Sequence, residues 1–222
     1  MTVPAGLGAE PTGGPLGNVT IAEAVVLMLT TTRKGELAFE WNMPAAAALI
    51  ELVLAGRVGS VPNTSFFNEA SPRKLVVLDT EPTGASVLDA AVRILESTPS
   101  PLRPAKAVAA VRREVTLAVY ASLESRGMAH AVGDFPSRGH LRIDDEEGYT
   151  LERARFAVIR SHPEKVTDAR TGAFIDVLRN GAPSSTGEQG VHPRIRWEWY
   201  PQDARETIDA ILMAENILFT SD

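Results

Sequence analysis

The chain has no cysteine among its 222 residues. This absence excludes disulfide bonds, thiolate metal sites and a cysteine nucleophile, and it fits a reducing cytoplasm. No stretch approaches the ~18 consecutive apolar residues that a membrane-spanning helix needs. The first residues also lack the charged start and apolar core of a signal peptide. We therefore expect a cytoplasmic protein, and any contact with a membrane must be peripheral.

Positive charge is scarce, since 22 lysines and arginines face 28 acidic residues and the net charge is −6. Phosphate contacts supply most of the affinity of general nucleic-acid binders, so this balance argues against that class. Hydrophobic residues make up 44% of the chain and charged residues 23%, which are ordinary globular values. A chain of this length buries about 70% of its unfolded surface and can build a substantial core.

Motifs for catalysis are also missing. His130, His140, His162 and His192 are far apart and show no spacing that would place two imidazoles on one metal ion. The segment PTGAS at 82–86 lies between a predicted strand and a predicted helix, where a helix N-terminus can hold an anion. It lacks the lysine or the glycine triplet of a nucleotide-binding loop, so a turn followed by a helix cap is favoured. We expect no enzyme activity, no metal and no cofactor.

Residues 1–18 contain five glycines and three prolines and are predicted to form a flexible tail, with a single domain over residues 19–222. Thr20 and Glu23 form a capping-box pattern, Asn42 is a predicted N-cap, and Ser86-x-x-Asp89 is predicted to cap a third helix. Helices are predicted at 21–30, 43–55, 86–97, 105–125, 166–179 and 203–218, and strands at 36–40, 58–61, 75–78 and 128–132. Residues 149–160 alternate arginine with apolar residues, which favours the second strand of a hairpin.

One pattern occurs twice, as LVLAGRVGSV at 52–61 and as LESRGMAHAV at 123–132. In each copy a helix ends at a glycine, Gly56 or Gly127, placed where a left-handed C-cap residue belongs, and a strand follows. The sequence therefore predicts a mainly α fold with short β-hairpins, a single globular domain containing two related helix-hairpin units.

Several motifs occur in a recognisable order. The apolar helix at 21–29 is followed by ELVLAGR at 51–57, by an apolar strand that ends in Asp79, and by PTG at 82–84 with Leu88-Asp89 at a helix start. In order and spacing these motifs resemble the Golgi phosphoprotein 3 family of phosphoinositide-binding peripheral membrane proteins. The resemblance covers roughly residues 20–126, about half of the chain. It implies a protein that binds phosphatidylinositol 4-phosphate at a membrane and acts as an adaptor.

Eukaryotic members of that family hold the lipid phosphate with a tryptophan ahead of the central helix and with arginines on that helix and on a later long helix. The resemblance assigns these roles to Trp41 and to Arg112 and Arg113 on the long helix. Arg113, fourteen residues before Gly127, is the better match to the first long-helix arginine. The alternative is that Arg112 and Arg113 belong to a solvated helix face and pair with neighbours such as Glu114.

The chain departs from the family pattern at two places. Alanines occupy 45–48, where the central-helix arginine would stand, and Thr116 stands in place of the second long-helix arginine. These losses and the alanine-rich sequence suggest a prokaryotic member, for which a Golgi role cannot apply and another anionic lipid can be the ligand.

Other surfaces leave alternatives open. Phe66-Phe67 is either a membrane wedge or a loop folded onto the core, and WEWY at 197–200 is either a partner surface or a core plug beneath the last helix. A helix followed by two strands is also typical of winged-helix units, so a DNA-binding regulator is the alternative function. The central helix, however, has no lysine or arginine to enter a major groove.

Overall fold

The structure is a computed structural model that describes residues 15–30, 42–62, 73–133, 140–180 and 195–219. These residues form seven α-helices: α1 (Ile21–Leu29), α2 (Asn42–Leu54), α3 (Ser86–Ser97), α4 (Pro104–Ser125), α5 (Glu146–Ser161), α6 (Ala169–Asn180) and α7 (Arg205–Phe219). They also form four strands: β1 (Val58–Pro62), β2 (Arg73–Val77), β3 (Ala129–Val132) and β4 (His140–Ile143). The mainly helical architecture with two hairpins confirms the predicted fold class.

Helix α2 is the centre of the core. Every residue from Asn42 to Val53 is buried, and α2 packs against α1, α4, α6 and α7. A helix that is apolar on all sides is buried on all sides, because no face gains from contact with water. It ends as predicted at Gly56, whose φ of 69° is a left-handed conformation that glycine adopts without a steric penalty.

Helix α1 begins with the predicted capping box. The Thr20 hydroxyl accepts a hydrogen bond from the Glu23 backbone N–H, and the Glu23 carboxylate accepts one from the Thr20 backbone N–H at 2.6 Å. Leu16, which the sequence analysis placed in the tail, is buried, and its carbonyl accepts a hydrogen bond from Arg155. The chain is therefore attached to the core ahead of α1.

A buried ion pair connects α1, α2 and α6. Glu51 accepts hydrogen bonds from the Ile21 backbone N–H and from Arg170 Nε, each at 2.7 Å. Arg170 also donates to the carbonyl of Val19 at 2.6 Å. Burial raises the pKa of Glu51, and the Arg170 guanidinium acts against that rise. These contacts satisfy a backbone N–H at the N-terminus of α1 and hold α1, α2 and α6 in fixed positions relative to one another.

The two hairpins have the same geometry. We name β1 with β2 hairpin 1, in which Val58 lies opposite Val77, and β3 with β4 hairpin 2, in which Ala129 lies opposite Ile143. In hairpin 1 the carbonyl of Arg57 accepts hydrogen bonds from the backbone N–H groups of residues 78 and 79. In hairpin 2 the carbonyl of Met128 accepts them from residues 144 and 145. The two predicted helix-hairpin units, α2 with hairpin 1 and α4 with hairpin 2, are therefore confirmed.

The prediction of a strand at 149–160 is wrong, because these residues belong to α5. The Asp145 side chain caps this helix by accepting the Gly148 backbone N–H, and Glu146 and Glu147 occupy its first turn. Tyr149 and Phe156, seven residues apart, are its two buried side chains. The second strand of hairpin 2 is instead the segment at 140–143.

The predicted cap of α3 also differs. Ala85 occupies the N-cap position and provides no side-chain hydrogen bond. Asp89 instead accepts hydrogen bonds from both the backbone N–H and the hydroxyl of Thr83, each at 2.7 Å. The predicted strand at 36–40 and the Phe66-Phe67 pair lie outside the described residues.

Candidate functional site

Helix α4 presents one face to the core and one to solvent. Its buried face consists mainly of apolar side chains, namely Pro104, Ala107, Val108, Val111, Val115, Thr116, Val119, Tyr120 and Leu123. Arg112 and Arg113 are both exposed. The predicted headgroup role and its alternative, a solvated helix face, both require this exposure, so it does not distinguish between them.

Their immediate contacts are local. Arg113 forms an ion pair with Glu114 at 2.9 Å, in which 66% of the arginine side chain is exposed. Exposed pairs of this kind contribute little to stability, roughly 0 to 1 kcal/mol, so the guanidinium can exchange its partner. Arg112 and Arg113 are adjacent in sequence and diverge by about 100° around the helix axis. Their two side chains therefore do not converge on a single binding site.

The positions that lack the family arginines face the core. Ala45, Ala46, Ala47 and Ala48 are fully buried in α2, and Thr116 is fully buried in α4. The Thr116 hydroxyl donates to the Arg112 carbonyl at 2.7 Å, so its polar group is satisfied within the helix. Trp41, the third predicted headgroup residue, lies outside the described residues.

Two further cations on α4 extend the exposed surface. Lys106 is exposed and lies seven residues before Arg113, which places both on the same side of the helix two turns apart. Arg103 is half-buried and occupies the N-cap position of α4. We name the residues Arg103, Lys106, Arg112 and Arg113 together the basic face, although Arg112 lies about 180° around the helix axis from Arg103. Over residues 103–115 these four cations are accompanied by one acid, Glu114.

Arg103 and Lys106 do not correspond to the arginine positions of the family, so the resemblance gave no indication of them. The available signal was the spacing of seven between Lys106 and Arg113 on a helix already predicted from its apolar periodicity. The start of the basic face lies beside hairpin 1, because the Leu75 backbone N–H donates to the Leu102 carbonyl at 2.7 Å.

A groove of about 280 Å³ lies next to this contact, between β2, the end of α3 and residues 98–102. Its lining is apolar or uncharged except for Glu96, and no lysine or arginine contributes to it. An anionic headgroup would meet a like charge there, so we assign the candidate site to the basic face and not to this groove.

The WEWY segment at 197–200 divides between the core and the surface. The buried hydroxyl of Tyr200 donates to Asp176 Oδ2 at 2.8 Å, and a Cβ on Gly172 would lie within 2.7 Å of the Trp199 ring. Trp197 is 37% exposed. Trp199 and Tyr200 therefore pack against α6, whereas the predicted alternative of a core plug placed them beneath the last helix.

Asp176 is an ionisable group with no exposed surface. Burial raises the pKa of this carboxyl from 3.8 to about 6, although the Tyr200 hydroxyl and the charges of Arg179 and Arg196 oppose the rise. No hydrogen-bond partner for Asp176 Oδ1 occurs among the described residues. The carboxyl lies in the packing between α6 and residues 195–200, away from α4.

No helix within the described ranges is long and apolar enough to cross a membrane. Within those same ranges no three His, Cys, Asp or Glu side chains form a group that could hold a metal ion. The features that define the class are thus a helical domain with two helix-hairpin units and a cationic surface on its longest helix.

The comparison with protein families specifies this class. The family Golgi phosphoprotein 3 (GPP34) matches residues 21–212, and the chain belongs to this family. The match extends well beyond the motifs recognised in the sequence and includes α5, α6 and about half of α7. No curated protein matches the chain.

Proposed function

We propose that this protein is a peripheral membrane protein that binds anionic lipid headgroups through the basic face of α4, and that it acts as an adaptor at the cytoplasmic side of a membrane. Phosphatidylinositol 4-phosphate is the headgroup that the family resemblance implies. The observation that carries the proposal is the concentration of four cations on one helix of a chain whose net charge is −6.

The physical basis is electrostatic attraction to a negatively charged surface. Each lysine or arginine near an anionic bilayer contributes about 1 kcal/mol. Arginine presents a planar fork of donors that suits phosphate oxygens. Arg103 and Lys106 lie at the N-terminal end of α4, where the helix dipole adds positive potential. The function is binding, and no chemical step is assigned to these residues.

The DNA-binding alternative gains no specific support. Its recognition helix would have been α2, and α2 is buried from Asn42 to Val53 by five other helices. A helix enclosed in this way cannot enter a major groove.

The test is sedimentation of the protein with vesicles that contain phosphatidylinositol 4-phosphate or phosphatidylserine. We expect the double variant R112A/R113A to bind about 30-fold more weakly than the wild type, because two contributions of about 1 kcal/mol are removed. K106A should lose several-fold by the same reasoning. All three substituted side chains are exposed, so these variants should unfold at the wild-type temperature.

The matched control is R142A/R160A, which removes two exposed arginines from β4 and α5 and leaves α4 intact. It should bind vesicles nearly as well as the wild type. Equal losses in the two double variants would indicate a response to overall charge, and unchanged binding of R112A/R113A would exclude the basic face as the site.

A further inference from the structure

Helix α5 is attached to the rest of the protein by one side. The buried rings of Tyr149 and Phe156 lie on that side, and the Phe156 ring centroid is 5.4 Å from that of Phe174 on α6. The Tyr149 hydroxyl donates to the Thr30 carbonyl at the end of α1. The opposite side of α5 therefore faces away from the core.

The side of α5 that faces away from the core is apolar over its middle two turns. Leu151 is 64% exposed and Val158 60% exposed, and both belong to the few large apolar side chains that the described part of the chain leaves exposed. Ala154, which lies between them at helical spacing, is also exposed. We name Leu151, Ala154 and Val158 the outer face of α5. These residues share one side of the helix, so the exposed apolar groups are contiguous and not scattered singly.

The spacing within the outer face of α5 is self-complementary. Leu151 precedes Ala154 by three residues, and Val158 follows Arg155 by three. If a second α5 packs antiparallel, with a two-fold axis between residues 154 and 155, Leu151 of each copy meets Val158 of the other. Ala154 then lies at the crossing point, where a small side chain lets the two helices approach closely. Such an isologous contact uses the same patch on both copies.

The charges that α5 leaves unpaired lie at opposite ends of the helix. Glu146 and Glu147 occupy its first turn and Arg160 its last turn. All three side chains are exposed, and none of them forms an ion pair among the described residues. Other charged groups of α5 and its C-cap already have partners, namely Arg153 with the Thr30 carbonyl, Arg155 with Glu152, and His162 with Glu164. The helix therefore has an uncompensated acidic end and an uncompensated basic end.

This polarity selects an antiparallel second copy of the chain as the partner. Glu146 and Arg160 are fourteen residues apart, about 40° around the helix axis, so they lie on the same flank of the outer face of α5. In an antiparallel pair the same flanks of the two helices meet. Glu146 of each copy is then offset by only about 5 Å along the axis from Arg160 of the other, within the range of Coulombic attraction. A parallel pair would instead place like charges together.

We propose that two copies of this protein associate through the outer face of α5, as an antiparallel helix pair with a two-fold axis beside Ala154. One helix from each copy forms a small interface, so the dimer is weak and its population rises with protein concentration. The interface is on α5 and the basic face is on α4, and dimer formation does not depend on lipid binding.

The absence of cysteine permits a direct test by disulfide cross-linking of single-cysteine variants. A mixture of L151C and V158C should form a cross-linked dimer under mild oxidation, because the antiparallel pair brings these two positions together. L151C alone and V158C alone should cross-link poorly. In the antiparallel pair the two copies of either position are seven residues apart along the axis, about 10 Å, which exceeds the ~7 Å between Cα atoms that a disulfide can span.

Sedimentation velocity over a range of protein concentrations measures the association itself. L151D should weaken it about a hundredfold, because each dimer loses two apolar contacts that contribute about tenfold each. The matched control is L78D on hairpin 1, where the leucine is 63% exposed, and it should associate as the wild type does. Because both leucines are exposed, both variants should keep the wild-type circular dichroism spectrum. R160E and E146R should each weaken association, and the double variant E146R/R160E should restore it, because the swapped charges again attract.

Three results would overturn the proposal. A monomer at every concentration, with no cross-linked product from the mixture, would show that the outer face of α5 does not bind a second copy. Cross-linking of L151C to itself as fast as to V158C would exclude the antiparallel arrangement. A dimer that L78D dissociates and L151D does not would assign the association to hairpin 1.

Discussion

At the scale of single residues, Asp176 combines full burial with an ionisable carboxyl. Its Oδ2 accepts a hydrogen bond from the Tyr200 hydroxyl, and a hydrogen bond from the Arg196 backbone also favours the carboxylate, whereas Oδ1 has no hydrogen-bond partner among the described residues. These donors do not compensate fully for the loss of water, so the charged form of the carboxyl is disfavoured. The packing of residues 195–200 on α6 should therefore respond to pH.

The expected effect follows from the direction of the pKa change. The folded state retains the Asp176 proton up to about pH 6, whereas an unfolded aspartate loses it near pH 3.8. Stability should therefore fall as the pH rises from 3.8 to about 6, by about 3 kcal/mol in total. D176N removes the titrating group, and urea unfolding from pH 4 to pH 7 should show a flatter stability profile for D176N than for the wild type.

The variant Y200F tests the same carboxyl from the side of its donor. It lacks the Tyr200 hydroxyl that donates to Asp176 Oδ2, so the charged carboxylate is less stable in the folded state. The loss of folding stability above pH 6 should therefore be larger than in the wild type. Parallel profiles for the wild type and D176N would show that another group controls the pH dependence.

Arg112 and Arg113 are exposed on α4, as a headgroup role requires, but the binding of a headgroup by these residues stays a prediction. The sequence could not show which elements bury Thr116 and alanines 45–48. These elements include α6 and α7, which lie far along the chain. Whether Trp41 approaches the arginines stays a prediction.

At the scale of elements, the two helix-hairpin units depend on one glycine each. Gly56 and Gly127 have φ values of 69° and 67°, and no atom lies within 4 Å of the place where a Cβ would be. G56A and G127A should therefore each destabilise the protein by about 1 kcal/mol through backbone conformation alone. Thermal or urea unfolding measures this loss.

At Gly172 the constraint is steric, in contrast to the two C-cap glycines. Its φ is not positive, but an added Cβ would lie 2.7 Å from the Trp199 ring. G172A should cost more than either C-cap variant, because the core must shift to accept it. If G56A and G127A left stability unchanged, the left-handed turns would not be the elements that end α2 and α4.

Most elements could be predicted because their ends have local chemical signals: the Thr20 cap, the glycines after α2 and α4, and Pro104 in the first turn of α4. Helix α5 could not be predicted, because arginines and apolar residues alternate along it with an apparent period of two, which is typical of a strand. Its decisive signal was the spacing of seven between Tyr149 and Phe156, which matches two turns of a helix facing the core.

At the scale of the whole molecule, a net charge of −6 coexists with a local surface of opposite sign. Under the proposed function, the basic face is the part of the molecule closest to the lipid. Added salt weakens both its attraction to an anionic bilayer and the long-range repulsion between that bilayer and the rest of the molecule. The attraction acts over the shorter distance and should dominate at contact.

The most direct measurement is sedimentation of the wild-type protein with vesicles of phosphatidylcholine alone or with phosphatidylinositol, its 4-phosphate or phosphatidylserine, across a salt series. We expect no binding to neutral vesicles and binding to every anionic vesicle at low salt. Binding should be strongest for the 4-phosphate, which has the greatest charge, and should decrease as salt rises. Failure to bind any anionic vesicle at low salt would contradict the assignment of this protein to membrane lipid binding.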